Sequence, residues 1–399
     1  MMRVKILKSL RVITAITFIS VLVSSCNAPD ESTEPKVINE KTGAQAFEKV
    51  PEGEAKQISK IATLTTALQD QRTVLPEQLG KVLRGVHPKS HGCVEAEFVI
   101  NNDINKKYQV GLFKKPGDTF KAQIRFSNAS VKIAPDLEGG KNGSRGMAIK
   151  IFNVKGEFLD TDRGSDNQDF LMINTPEFAF SDVRGYAYLT DALHASPQGN
   201  NADQLFALVI IQATINGTPT PPFPEPTQEG LEKLKMHLAS KGQQLPKDFS
   251  LQDIRDLTNT LNILLTKIQT RTVRNPMQVQ YFGAAPFLFG KDQVMKFSVA
   301  PTILVEQEKF DLPSESPNQD YLREALTKVL QDESVEFDFK IQVRNKNEDF
   351  GEKQVLIENA TTTWDKGDRP EIDGYINVAK IKVKAGQNPN TEKSKAECE

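Results

Sequence analysis

Val94-Glu95-Ala96-Glu97-Phe98-Val99-Ile100 and, further on, Phe120-Lys121-Ala122-Gln123-Ile124-Arg125-Phe126 decide the fold class. In the first stretch Val94, Ala96, Phe98 and Ile100 alternate with Glu95, Glu97 and Val99; in the second Phe120, Ala122, Ile124 and Phe126 alternate with Lys121, Gln123 and Arg125. Successive side chains of a strand point to opposite faces, so this period marks strands with one buried face. Met147 to Phe152, Val294 to Val299, Val335 to Val343 and Ala379 to Val383 repeat it, with Asn-Gly, Pro-Gly and Asp-rich connections between some of them. Many strands without regular helices between them point to an antiparallel sheet that can close into a barrel, not to a doubly wound sheet.

Helical spacing surrounds and interrupts this texture. Ala44 to Thr73 carries Ile58, Ile61, Leu64 and Leu68 at helical intervals. Between Asn200 and Arg274 a Pro-rich loop, Thr218 to Pro226, precedes two helical stretches, Gly230 to Lys241 and Leu251 to Thr270, the second with Leu257, Leu261, Leu264 and Ile268 on one face. The expected class is α+β: an antiparallel β-barrel over residues 44–390, with a helical insertion at 200–274 packed on it and flanking helices.

The chain has 399 residues, with 50 Lys+Arg against 52 Asp+Glu and a formal net charge of -2, which gives no electrostatic case for a nucleic-acid partner. At 38% hydrophobic and 26% charged residues it falls in the soluble globular class and can bury a large core. Three cysteines exclude a disulfide scaffold or a multi-cysteine metal site. Cys93 and Cys398 could pair in an oxidising compartment, but they lie far apart in sequence, and Cys93 is expected to be free and buried.

The N-terminus reads as an address. Arg3, Lys5, Lys8 and Arg11 precede the apolar run Val12 to Val23, then Ser24-Ser25-Cys26. That is a secretory signal, too short for a comfortable membrane span. Val23-Ser24-Ser25-Cys26 resembles a bacterial lipobox, in which Cys26 is lipidated after removal of residues 1–25. Residues 26–43 then form a polar tether with Pro29 and Pro35. The expectation is a lipid-anchored protein of the bacterial cell envelope, facing an oxidising compartment.

Common chemical constellations fail. His87 and His91 are four apart, but Pro88 and the missing Glu contradict a helical zinc pair. There is no phosphate loop, no dinucleotide fingerprint after a strand and no serine nucleophile elbow. Instead, unusual residues gather at strand edges: Arg84-Gly85-Val86-His87, Arg125-Phe126-Ser127-Asn128, Arg145-Gly146-Met147-Ala148-Ile149-Lys150 and Asn174-Thr175-Pro176. Each alone reads as a turn or strand terminator.

In this order they resemble the haem catalase superfamily. Arg84 to Phe98 is similar to its distal-histidine segment, Ile124 to Asn128 to its Arg-Phe-Ser strand, Arg145 to Lys150 to its Arg-Gly-x-Ala-x-Lys strand and Asn174-Thr175-Pro176 to its distal asparagine. Gln168 to Leu171, Asn275 to Pro301, Phe337 to Val343 and the Trp364 region look more like the smaller bacterial catalase-like haem-binding branch. The resemblance implies a haem cofactor and a peroxide substrate. It implies His87 as proton shuttle, Asn174 as hydrogen-bond donor to peroxide, Ser127 as the partner fixing the His87 tautomer, and Arg84 and Arg125 as partners of haem propionates. By position Tyr186 would pack on the haem or serve as a plain core aromatic.

One departure matters. The superfamily's axial tyrosinate lies near the C-terminal end in an Arg-x-x-x-Tyr context, whereas residues 391–399 read as a truncated tail without it. None of Tyr108, Tyr186, Tyr188, Tyr281, Tyr321 and Tyr375 lies where that ligand is expected, so the metal ligand is unassigned. Three readings follow: a peroxide-decomposing haem lipoprotein, a non-catalytic haem-binding or haem-free lipoprotein, and an envelope interaction protein. Oligomeric state is left open.

Overall fold

The computed structural model describes residues 53–73, 84–129, 135–136, 144–156, 166–180, 183, 185–187, 200–245, 247, 249–268, 271–283, 285–290, 293–306, 309–310, 320–345, 360–364 and 374–394. The signal segment, Cys26, the tether, Tyr188 and Cys398 lie outside them.

The alternating stretches form strands β1 (Ser90–Ile100), β2 (Thr119–Asn128), β3 (Arg145–Ile151), β4 (Gln168–Ile173), β7 (Gln293–Pro301), β8 (Val335–Asn345) and β9 (Ile376–Val383), joined by two-residue strands β5 (Tyr281–Phe282) and β6 (Phe287–Leu288). The sheet order is β5-β4-β3-β2-β1-β9-β8-β7-β6, with an additional β5–β7 pairing, and every pairing is antiparallel. Closure depends on β5. Phe282 pairs with Ile173 of β4 and also with Ser298 of β7, so eight strands complete a ring and β6 hangs from β7. A closed ring leaves no free sheet edge along the paired spans.

The period-two faces meet inside that ring. Val94, Phe98 and Ile100 of β1, Ala122, Ile124 and Phe126 of β2, Met147 and Ile149 of β3 and Phe337, Phe339 and Ile341 of β8 belong to one buried cluster. Phe339 is its hub: its ring lies 4.8 Å from that of Phe170, 5.2 Å from Phe98, 5.8 Å from Phe113 and 5.9 Å from Phe297. Side chains thus fill the barrel interior, as in small barrels generally. Outward positions carry charge pairs such as Lys150–Asp169 across β3 and β4, at 2.8 Å.

Five helices accompany the barrel among the described residues: α1 (Glu54–Thr73), α2 (Asn200–Ile215), α3 (Gln228–Ser240), α4 (Leu251–Ile263) and α5 (Tyr321–Asp332). Thr227 caps α3, accepting from the Gly230 amide at 3.1 Å, and Ser250 with Asp253 forms a reciprocal capping box on α4. The stretch expected to be helical to Thr270 leaves α-geometry after Ile263 and continues as a π-helical turn, Leu264–Ile268. α2, α3 and α4 share a hydrophobic cluster containing Val209, Leu234, Ile254 and Leu257. The insertion meets the segment after β4 through Ile263 and Ile268 against Phe180, and through the Lys267–Glu177 ion pair at 2.6 Å. None of the described helices is long and apolar enough to cross a membrane.

Three points correct the sequence reading. α2 and α5 were not expected as helices. Leu322, Leu326 and Leu330 of α5 are nonetheless buried at successive i, i+4 positions, so the signal lay in the sequence. Cys93 is not free; it is disulfide-bonded.

Candidate functional site

The site is built on the outer face at one end of β2 and β3. Ile124 and Phe126 point into the barrel, so Arg125 and Ser127 point out. Ser127 pairs across the ladder with Gly146 of β3. The His87 ring lies over this pair, its Nδ1 3.1 Å from Ser127 Oγ. A Cβ built on Gly146 would stand 2.5 Å from His87 Nδ1 and 2.7 Å from Ser127 Oγ. Gly146 therefore makes the seat for the imidazole, and any side chain there would displace the ring.

The loop carrying His87 is held from several sides. Arg125 Nη2 donates to the His87 carbonyl at 2.9 Å, and the Gly85 amide donates to Gln69 Oε1 of α1 at 2.7 Å. The Asn128 amide donates to the Lys89 carbonyl at 3.0 Å. His87 itself has φ 52°, in the left-handed region that a non-glycine residue adopts at a cost of roughly 1–3 kcal/mol. Burial, with the nearby charges of Arg125 and Arg84, lowers its pKa from 6.5 to about 4. The imidazole is neutral at neutral pH.

β3 also brings in the asparagine. The Arg145 amide donates to Asn174 Oδ1 at 2.8 Å, and the Asn174 amide donates to the Arg145 carbonyl at 3.1 Å. Arg145 directly precedes Gly146, so neighbouring residues of one strand position both His87 and Asn174. Arg271 reaches back from beyond α4 to donate to the Asn174 carbonyl at 3.0 Å. Asn174 is buried, and its amide oxygen is committed to β3.

A buried ionic network, not read from the sequence, underlies the loop. Asp136, fully buried between β2 and β3, receives Lys89 at 2.7 Å and the Leu322 amide of α5 at 3.0 Å. Arg145 donates to the Asp136 carbonyl at 2.6 Å. Fully buried His91 bonds Asn128 Oδ1 through Nε2 at 2.9 Å. Desolvation, then the charge of Arg145, holds its pKa well below the ordinary value. Nothing in a sequence period marks Asp136, which stands on a loop.

Of the residues singled out from sequence, His87, Ser127 and Arg125 come together directly, and Asn174 joins them through β3. Arg84 is exposed at the start of the loop, close enough to act on the His87 charge. Tyr186 stands apart from this group, packed edge-on to Phe180 at 5.3 Å and tilted against Phe178 at 6.2 Å. The hydroxyl of Tyr281 donates to the Pro276 carbonyl at 2.7 Å and that of Tyr321 to the Val273 carbonyl at 2.5 Å. On the His87 side the site presents a neutral imidazole seated on Gly146, with the Arg125 and Arg84 guanidinium groups close enough to act on its charge, a set whose cations suit a carboxylate-bearing group.

No family model matches the chain. It is 32% identical over 130 residues to a catalase of Staphylococcus saprophyticus, a match covering 32% of this chain and 22% of that protein. It is 29% identical over 136 residues to a catalase-like protein of Staphylococcus aureus, covering 34% of this chain and 26% of that one. The match thus spans about a quarter of the length of these curated relatives. Among solved structures, a bacterial catalase aligns over 91% of this chain and 56% of its own, at 16% identity and a TM-score of 0.47. Catalase A from Saccharomyces cerevisiae aligns over 77% and 52%, at 15% identity and a TM-score of 0.44. Over about a third of its length, the chain is catalase-like in sequence.

Proposed function

We propose that this catalase-like chain is a haem protein that acts on hydrogen peroxide or an organic peroxide in the bacterial cell envelope, tethered by a lipid on Cys26. One observation carries the reading: a neutral histidine seated on Gly146, with Nδ1 at hydrogen-bond distance from Ser127 Oγ. When Nδ1–H donates to Ser127, the Nε2 lone pair is available to take a proton. His87 then accepts a proton from one peroxide oxygen at Nε2 and returns it to the other. Asn174, its amide oxygen fixed by the Arg145 N–H, is the side chain that would donate from Nδ2 to the peroxide and hold it against His87. Arg84 and Arg125 suit the propionate carboxylates, since a planar guanidinium matches a carboxylate. Haem, when bound, supplies the redox chemistry. Envelope location is supported by the disulfide at Cys93, because disulfides persist in oxidising compartments.

A second reading, haem binding without turnover, is favoured by the Tyr281 and Tyr321 hydroxyls being given to backbone carbonyls. The two part in one experiment: the full chain is expressed with ample haem precursor, its visible spectrum recorded and peroxide decay followed on the same sample. A Soret band with decay that His87→Ala abolishes supports the enzyme. A Soret band with decay indifferent to His87→Ala and Asn174→Ala supports the binding protein, and a folded sample without a band after haem reconstitution overturns both.

A further inference from the structure

We infer that the disulfide at Cys93 joins it to Cys398 and pins the C-terminal segment across the edge of β1; this stands apart from the haem reading and does not depend on it. β9 pairs with β1 from Glu97 to Ile100 and no further, so the preceding residues of β1 lose their ladder partner on that side. Residues 384–394 take its place with side chains. Gln387 receives the Glu95 amide at 2.8 Å and donates to the Glu95 carbonyl at 2.9 Å, and Ser394 Oγ donates to the Cys93 carbonyl at 2.8 Å. The segment runs so close to the strand that a Cβ on Gly92 would stand 2.5 Å from Pro389 Cβ. Asn390 ties it to Thr327 of α5 at 2.5 Å.

Within one chain, Cys26 and Cys398 are the two cysteines that can pair with Cys93. Cys398 lies four residues beyond Ser394, a reach of at most about 14 Å, and Ser394 already touches Cys93. Cys26 precedes α1 in the sequence, and if lipidated its sulfur is held in a thioether. Formation joins the two Sγ atoms, and the two protons and two electrons released pass to the disulfide of a thiol-disulfide oxidoreductase. The cross-link would keep an otherwise unpaired strand edge covered, an edge that could template pairing with another chain.

The test is peptide mapping by mass spectrometry of the full chain, exported to an oxidising compartment, purified without reductant and alkylated before digestion. A Cys93–Cys398 cross-linked peptide that disappears on reduction is expected. Free, alkylated Cys93 or a Cys93–Cys26 peptide overturns the assignment. As a second readout, Cys398→Ser should leave Cys93 alkylatable while Cys26→Ser does not. Hydrogen exchange at 387–394 should rise on reduction of the wild type but show no reduction-dependent change in Cys398→Ser. Unchanged exchange in the wild type would mean that the segment is not pinned by the disulfide.

Discussion

His87 is a half-buried residue in left-handed backbone geometry, whose ring is set by one hydroxyl and one missing Cβ. Its pKa, lowered from 6.5 to about 4, gives a signed consequence. Above 6.5 the imidazole is neutral whether the chain is folded or not. As pH falls from 6.5 toward 4 the unfolded chain takes the proton first, so stability falls across that window, by up to about 1.4 kcal/mol per pH unit for one proton. Buried His91, shifted the same way, adds to the loss. Denaturant unfolding followed from pH 7 to pH 4 should therefore show a shallower decline in His87→Gln than in the wild type; equal slopes would mean that His87 titrates normally. Gly146→Ala tests the seat. The new methyl must push the ring off Ser127, at a cost of about 1–3 kcal/mol for overpacking. The His87 resonance in NMR should then titrate closer to 6.5.

At the scale of elements, strands were legible wherever one face was buried and the other charged. β1 shows this best: Val94, Ala96, Phe98 and Ile100 are buried as the alternation predicts. What escaped has physical causes. β5 is two residues long and carries no period, yet its double pairing closes the barrel. α2 lies in a stretch apolar on several faces, so its period is weak. For α5 the i, i+4 spacing of Leu322, Leu326 and Leu330 is carried by the sequence itself. The His87, Ser127, Arg125 and Asn174 set was legible because motifs in order implied a common geometry. The network beneath it was not, because Asp136 joins elements remote in sequence. Asp136 links the His87 loop to α5, and Asp136→Asn would remove the buried carboxylate from Lys89 while the more exposed Asp320 stays in reach, at 3.1 Å. Breaking a buried pair from one side costs about 3–5 kcal/mol, and the remaining partner places this variant near the lower figure. Guanidinium unfolding should register the loss, and hydrogen exchange should quicken at residues 84–91. Unchanged exchange would mean that Arg125 and Gln69 suffice to hold the loop.

For the whole molecule, a filled barrel separates stability from chemistry. The aromatic rings around Phe339 occupy the interior, so the proposed reaction has its place on the outer wall, where Ser127 and Gly146 face the His87 loop. The inward face of each strand holds the ring of strands together, and the outward face of β2 and β3 is the surface on which the site is built. A cavity cut at the hub should affect the first without reshaping the second. Phe339→Ala removes a ring in contact with four others and should cost about 3–5 kcal/mol, read as a lower denaturation midpoint with little change in denaturant slope. Well below that midpoint, the same variant should keep the wild-type His87 titration. If its imidazole instead returned to an ordinary pKa, core and site would be one cooperative unit, and barrel packing itself would set the protonation state of the site.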